Sequence, residues 1–387
     1  MTVKIEKKIK GYSVVQPGST PQPSKPSEIH YLDQPERRIK LTEVAPLEDS
    51  MRWVKRPHEP AGVDGRTYMV HDIEPNTGAV NKRFGILINH LKNGSPETGY
   101  PFEVWVLGDG APRGLAALCK SLSMDMRQRD WAYFRTKLEA ISKTDGEAFD
   151  MEMPDGTIVR MPSETSAAAR LILYRCKELG VFTDEQLAHT PVLDALMSKK
   201  EPKTTALGAP SWSWDVKNPA SGDDFLLTLK QVELDDGRMV PISIWMAGKY
   251  PDSFDGLCKS ISYDMRINSV GWTVRKLKQL LNVKEDGLGM MAPIPGSVKS
   301  QWYESTIAYV ATLILHHYKA LGLVDENFAP VGKSATVVLI AEARSMVLPA
   351  LEKKDKMGRL CTACDTYAVI RMDGCDTCSA CGTSKCG

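Results

Sequence analysis

Charge of one sign is missing from this chain: 49 Lys and Arg stand against 48 Asp and Glu, a formal net charge of +1. Such a balance sets up no global field toward nucleic acid or an anionic membrane, and leaves that work to local patches. Long apolar runs are missing as well. The longest, Ile307 to Leu315, falls well short of the roughly 18 residues that span a bilayer and reads as a buried helix. Met1 to Lys10 carries Lys4, Lys7, Lys8 and Lys10 with no apolar stretch behind them. No secretory leader is therefore expected, and the expected compartment is the cytoplasm. No Gly-rich phosphate loop follows a strand and no hydrolase nucleophile elbow is present. Gly108-Asp109-Gly110 is only a turn. The seven histidines form no cluster. His316 and His317 are adjacent in an apolar helix, where neighbours diverge by about 100°, so they cannot chelate one metal as an i, i+4 pair would. Both read as partly buried or surface histidines.

What is present is enough for real cores. Apolar residues make up 42% of the 387 and charged ones 25%, ordinary globular values that allow about two to three domains. Residues 1–64 read as a Pro-rich arm or linker. Pro17, Pro21, Pro23 and Pro26 fix φ and remove donors, so this stretch holds no helix.

The body repeats itself. Leu118-Cys119-Lys120-Ser121-Leu122-Ser123-Met124-Asp125-Met126-Arg127 returns as Leu257-Cys258-Lys259-Ser260-Ile261-Ser262-Tyr263-Asp264-Met265-Arg266, with eight of ten positions identical at an offset of 139. Upstream, Pro101 to Gly108 aligns with Pro241 to Gly248. Downstream, Leu171-Ile172-Leu173 and Gly180 answer Leu313-Ile314-Leu315 and Gly322. Two copies of one domain are expected, over 65–190 and 205–328. Each begins with apolar, β-branched runs around a turn signal: 84–91 and 101–107, then 225–229 and 240–245. Helices follow from about Gly114 and Asp255, over 131–141 and 272–281, and over 166–179 and 304–321, the last of each copy closed by Gly180 or Gly322. The expected fold class is α+β: two tandem antiparallel-sheet-plus-helices domains, a connecting helix within 329–356, and a zinc ribbon over 357–387. Cys119 and Cys258 hold equivalent places, beside the apolar stripe, and read as small half-buried helix residues. Asp125–Arg127 and Asp264–Arg266 read as ion pairs that fix the domain.

Six of the nine cysteines crowd into the last 27 residues as Cys361-x2-Cys364-x10-Cys375-x2-Cys378-x2-Cys381-x4-Cys386. Without a leader, that spacing points to zinc or redox chemistry rather than structural disulfides. Zn²⁺ takes four ligands in a tetrahedron, and two Cys-x2-Cys turns supply them with little strain. Cys361 and Cys364 belong to every assignment. The second pair is Cys378 with Cys381, favoured by Gly382 after the knuckle, or Cys375 with Cys378. Two thiols exceed the metal's need either way: Cys375 and Cys386, or Cys381 and Cys386. Surplus thiols at a chain end, with Lys385 beside Cys386, point to thiol–disulfide exchange.

The run Gly374 to Gly387, with its six-cysteine context, resembles the C-terminus of class II, adenosylcobalamin-dependent ribonucleotide reductases. The body is similar to the accessory domain before that tail, through Gly65-Arg66-Thr67-Tyr68, Pro101-Phe102-Glu103-Val104 and the helix after Gly114. The resemblance implies zinc held by tail cysteines, electrons relayed to a reductase active site, and a role in making DNA precursors. The family's large catalytic barrel has no room here. The expectation is therefore an accessory subunit of a split reductase in a bacterial cell, phage-encoded in one version. Its partners would be the catalytic subunit, which alone carries adenosylcobalamin, and a dithiol reductant. The alternative is a non-enzymatic zinc-ribbon adaptor that binds protein or nucleic acid. The ribbon is poor in bases, with only Arg371 and Lys385 beyond Cys361, which weighs against nucleic acid.

Overall fold

The computed structural model describes residues 27–31, 34–41, 50–331 (except 75, 93–97, 205–207, 234–238, 268 and 286), and, near the end, 359–360, 362–363, 367–372, 375–378 and 383–385. The fold is mixed α and β, with small antiparallel sheets and seven helices among the described residues. Strands β1 (Ser27–Tyr31) and β2 (Gln34–Leu41) pair as an antiparallel hairpin within the segment read as an arm.

The first block opens with a three-stranded meander: β3 (Asp64–Ile73), β4 (Val80–Lys92) and β5 (Gly99–Leu107). Sequence patterning finds β4 and β5; β3 is added by the structure. Side chains alternate faces along a strand. Val70, Phe84, Ile86, Ile88 and Val104 are buried, while Met69, Trp105 and Leu107 face outward. Helices α1 (Leu115–Asp125) and α2 (Trp131–Ile141) follow. Asp130 caps α2, its carboxylate accepting from the Tyr133 N–H at 2.7 Å. The same carboxylate accepts from the Val192 and Leu193 N–H groups. A hairpin of β6 (Phe149–Glu152) and β7 (Ile158–Met161) leads into α3 (Glu164–Glu178). Ser163 caps α3, and Gly180 at φ 76° closes it, a left-handed conformation that glycine adopts without a Cβ penalty. A one-turn helix, α4 (Asp184–Leu187), follows.

The second block has the same order. β8 (Ser211–Asn218), β9 (Asp223–Glu233) and β10 (Met239–Lys249) form a three-stranded meander. Then come α5 (Ser253–Met265), α6 (Val270–Leu280), the hairpin β11 (Met290–Pro293) with β12 (Ser300–Tyr303), and α7 (Thr306–Ala320). Ser305 caps α7 as Ser163 caps α3, and Gly322 at φ 70° closes it.

Both blocks share one core. Leu115, Leu118 and Leu122 of α1 and Leu257 and Ile261 of α5 belong to the same buried cluster as both meanders and the helices α3 and α7. One close approach uses a glycine. A Cβ on Gly256 would lie 2.5 Å from Thr165 Cγ2 and 3.1 Å from Leu118 Cδ2, so a side chain there would force a shift between α5 and the first block. The Ser121 and Ser260 hydroxyls meet at 3.3 Å, joining two positions 139 residues apart.

Residues 50–56, part of the segment read as a linker, are docked. The Arg52 N–H donates to the Arg127 carbonyl at 2.7 Å, and its guanidinium lies 3.6 Å from the Tyr100 ring centre. Trp53 packs edge-on against Tyr100 and Phe102. Arg56 forks onto the buried Glu103 at 2.6 and 2.7 Å, a bidentate pair of the stronger kind. Near the end, β13 (Arg359–Leu360), β14 (Tyr367–Met372), β15 (Cys375–Cys378) and β16 (Ser384–Lys385) form a four-stranded antiparallel sheet. The connecting helix expected within 329–356 falls, beyond residue 331, outside the described residues up to 358. Among the described residues no helix is long and apolar enough to cross a membrane.

Candidate functional site

Two of the six terminal cysteines lie on the terminal sheet. Cys375 and Cys378 bracket β15, where Cys375 lies in register with Met372 and Cys378 with Val369. Three residues apart on a strand, the two side chains fall on opposite faces. Their states differ as well. Cys375 is disulfide-bonded and half-buried. Cys378 is buried and takes no part in a disulfide. A cysteine in a disulfide offers no thiolate to a metal, whereas Cys378 keeps that capacity. Strand β16 returns antiparallel, setting Lys385 opposite Asp376 and Ser384 opposite Thr377, with the Cys378 N–H donating to the Thr383 carbonyl at 2.8 Å. Cys361, Cys364, Cys381 and Cys386 lie outside the described residues. Among the described residues no group of three or more His, Cys, Asp or Glu is placed to hold a metal ion.

The cysteines of the body sit in another environment. Cys119 and Cys258 are buried on α1 and α5, and Cys176 is buried on α3. Burial pushes the Cys119 thiol up to about 12 and the other two higher still. Desolvation of the charged form is the first cause in each case. The sequence reading of Cys119 and Cys258 as half-buried is corrected to full burial, because α1 and α5 each pack on a sheet and on each other.

The repeated Asp-Met-Arg motif meets at the centre of the molecule. Asp125 and Asp264 do not pair with Arg127 and Arg266 as the sequence reading expects. They pair with Lys137 of α2 and Lys276 of α6, which are themselves 139 residues apart. Lys137 Nζ lies 3.0 Å from Asp125 and 2.6 Å from Asp264, and Lys276 Nζ lies 2.5 Å from Asp125 and 2.9 Å from Asp264. All four side chains are fully buried. Asp264 also accepts from Tyr133 Oη at 2.7 Å and from Trp272 Nε1 at 2.6 Å. Burial opposes ionisation of Asp264, but the two ammonium charges and these donors outweigh it and hold the carboxyl below its usual range. Asp125 has only the two lysines, and burial raises it. Burial likewise lowers Lys137 to about 8. The arginines turn instead to backbone: Arg127 donates to the Phe102 carbonyl at 3.3 Å and Arg266 to the Ser198 carbonyl at 3.1 Å. With no exposed face, this cluster binds the two blocks together and acts on no substrate.

A second polar junction, absent from the sequence reading, crosses between the blocks. Arg113 forks onto Asp223, and Asp223 also accepts from Thr306 Oγ1 and Ser221 Oγ, both at 2.6 Å. His317, expected to be partly buried or at the surface, is 8% exposed. It stacks on Trp212 at 4.3 Å and meets Gln231 at 2.9 Å. Burial lowers its pKa to about 4, so it is neutral at pH 7. Lys137, Lys276, Arg113 and Asp223 carried no motif that could have found them. The one available signal was the 139-residue offset, which maps Lys137 onto Lys276.

No protein-family model, no curated protein and no solved structure matches the chain.

Proposed function

We propose that this chain is the accessory, electron-relaying subunit of a cobalamin-dependent ribonucleotide reductase: two tandem copies of one α+β unit followed by a zinc ribbon. The observation that carries the reading is chemical. On the short strand β15, Cys375 is disulfide-bonded and half-buried, while Cys378 is buried and outside any disulfide. That division matches a tail in which some cysteines ligate metal and others exchange electrons. The tandem arrangement is supported by the recurring element order and by the contacts at an offset of 139.

In this reading Cys378, with Cys361, Cys364 and Cys381, would hold zinc through four thiolates, and the metal would tie the ribbon together. Cys375 and Cys386 form the exchanging pair. In their dithiol form, one thiolate attacks a disulfide in the partner's active site and makes a mixed disulfide. The second thiol then resolves it. Two electrons and two protons pass to the partner, and the tail is left as a disulfide for an external dithiol to reduce. The test uses the full chain with its catalytic partner. Cys375→Ser and Cys386→Ser should each keep stoichiometric zinc and abolish turnover driven by a dithiol donor. Full turnover in both variants would refute the relay.

A further inference from the structure

A cavity of about 320 Å³ opens between β12, the middle of α7 and the turn at Phe328; its walls include Gln301, Trp302, Glu304, Thr312, His316 and Phe328. None of these residues takes part in the relay. Glu304 supplies the one formal charge in the wall. Its side chain is exposed and makes no hydrogen bond or ion pair with any described residue. Three aromatic side chains surround it. Trp302 is 57% exposed and rests on Gly289, where an added Cβ would lie 2.2 Å from the ring. Phe328 is the one non-glycine residue with a positive φ, 54°, among the described residues, and its ring meets His316 edge-on at 5.4 Å. A backbone held in that region persists where the surroundings demand it. Tyr303 completes the wall and is buried. Burial and the Lys319 charge push His316 below its ordinary pKa, so it adds no positive charge at pH 7. Lys319 itself is engaged with Glu326.

The first block answers with the opposite charge. Counted from the capping serines Ser163 and Ser305, Trp302 corresponds to Arg160, Glu304 to Pro162 and Thr312 to Arg170. Where one block carries two guanidinium groups of its own, the other has an aromatic wall, a lone carboxylate and open space.

We propose that this cavity binds a small organic cation, an alkylammonium or guanidinium group, against Trp302 and Phe328 with Glu304 as its counter-ion. Aromatic faces attract such cations through the ring quadrupole, and a carboxylate alongside adds charge pairing. The probes are choline and agmatine, with 3,3-dimethylbutanol as the neutral isostere of choline. Titration of the full chain, followed by calorimetry and tryptophan fluorescence, should show saturable one-to-one binding of at least one cation in the range ~0.1–10 mM. The neutral isostere should bind at least about tenfold more weakly. Glu304→Gln and Trp302→Ala change exposed side chains, so the circular dichroism and melting temperature should hold. Each should weaken cation binding about five- to twentyfold. Three results would overturn the proposal: no saturable binding of either cation up to ~20 mM, equal binding of the isostere, or wild-type affinity in both variants.

Discussion

Replacing Lys276 with Met removes one of four charges from the fully buried cluster between the blocks. The variant retains two carboxylates and one ammonium, a net negative charge with no access to water. Removing one partner of a buried pair costs about 3–5 kcal/mol, because the other charge is left uncompensated. The contacts place the effect at the lower end. Lys137 still reaches both carboxylates, at 3.0 and 2.6 Å, and Asp264 keeps Tyr133 and Trp272 as donors. Asp125 loses its 2.5 Å contact and is left with Lys137 alone. Lys276→Met should therefore cost about 3 kcal/mol, with Asp125 taking up a proton. Adding Asp125→Leu removes that carboxylate and restores neutrality. The double variant should lie within about 1 kcal/mol of wild type, well below the sum of the single effects. Urea unfolding followed by circular dichroism and tryptophan fluorescence measures all four corners of the cycle. A cost under about 1 kcal/mol for Lys276→Met, or strict additivity in the double variant, would refute the argument that these charges hold one another.

Other expectations follow from single contacts. His317 has a folded pKa of about 4 against an ordinary 6.5. Between those values the unfolded chain binds the extra proton, so stability rises with pH across this window and is lost as pH falls, by up to about 3 kcal/mol. His317→Gln should flatten that slope in denaturant titrations at pH 4.5 to 7, and an unchanged slope would place the titrating group elsewhere. Gly256→Leu should lower stability by roughly 2–4 kcal/mol through overpacking against Thr165 and Leu118, read as a drop in melting temperature; an unaltered melt would show that α5 can shift freely. Cys119, Cys176 and Cys258 should stay unreactive toward an aromatic disulfide reagent in the native protein and react together on unfolding, whereas fast native labelling of any one would contradict its burial.

Much of the body was legible in the sequence because periodicity reports burial. The Trp131–Ile141 helix stands where spacing places it, and the neighbouring helices shift by one or two residues at their ends, where capping by Ser163 and Ser305 sets the start. The hairpins β6–β7 and β11–β12 were not legible. Four-residue strands leave too short an alternation to read. The strands β3 and β8 were missed for a different reason: their exposed faces carry Thr67 and Met69, or Ser213 and Asp215, which mask the buried positions. The ion pairs could not be assigned from local spacing, since Asp125 finds its partners 12 and 151 residues away. Of the six terminal cysteines, only Cys375 and Cys378 fall among the described residues. Their opposite faces follow from the strand, which spacing alone did not place.

The buried charge cluster also constrains the order of events in the cell. Residues 115–141 supply one carboxylate and one ammonium, and residues 253–276 supply the other two. A ribosome that has released only the first block has delivered a body whose Asp125 and Lys137 still face water. That face closes only when the second block arrives. The first half of the chain waits, wet and charged, for its other half, and any partner that docks earlier meets a surface that the finished protein no longer has.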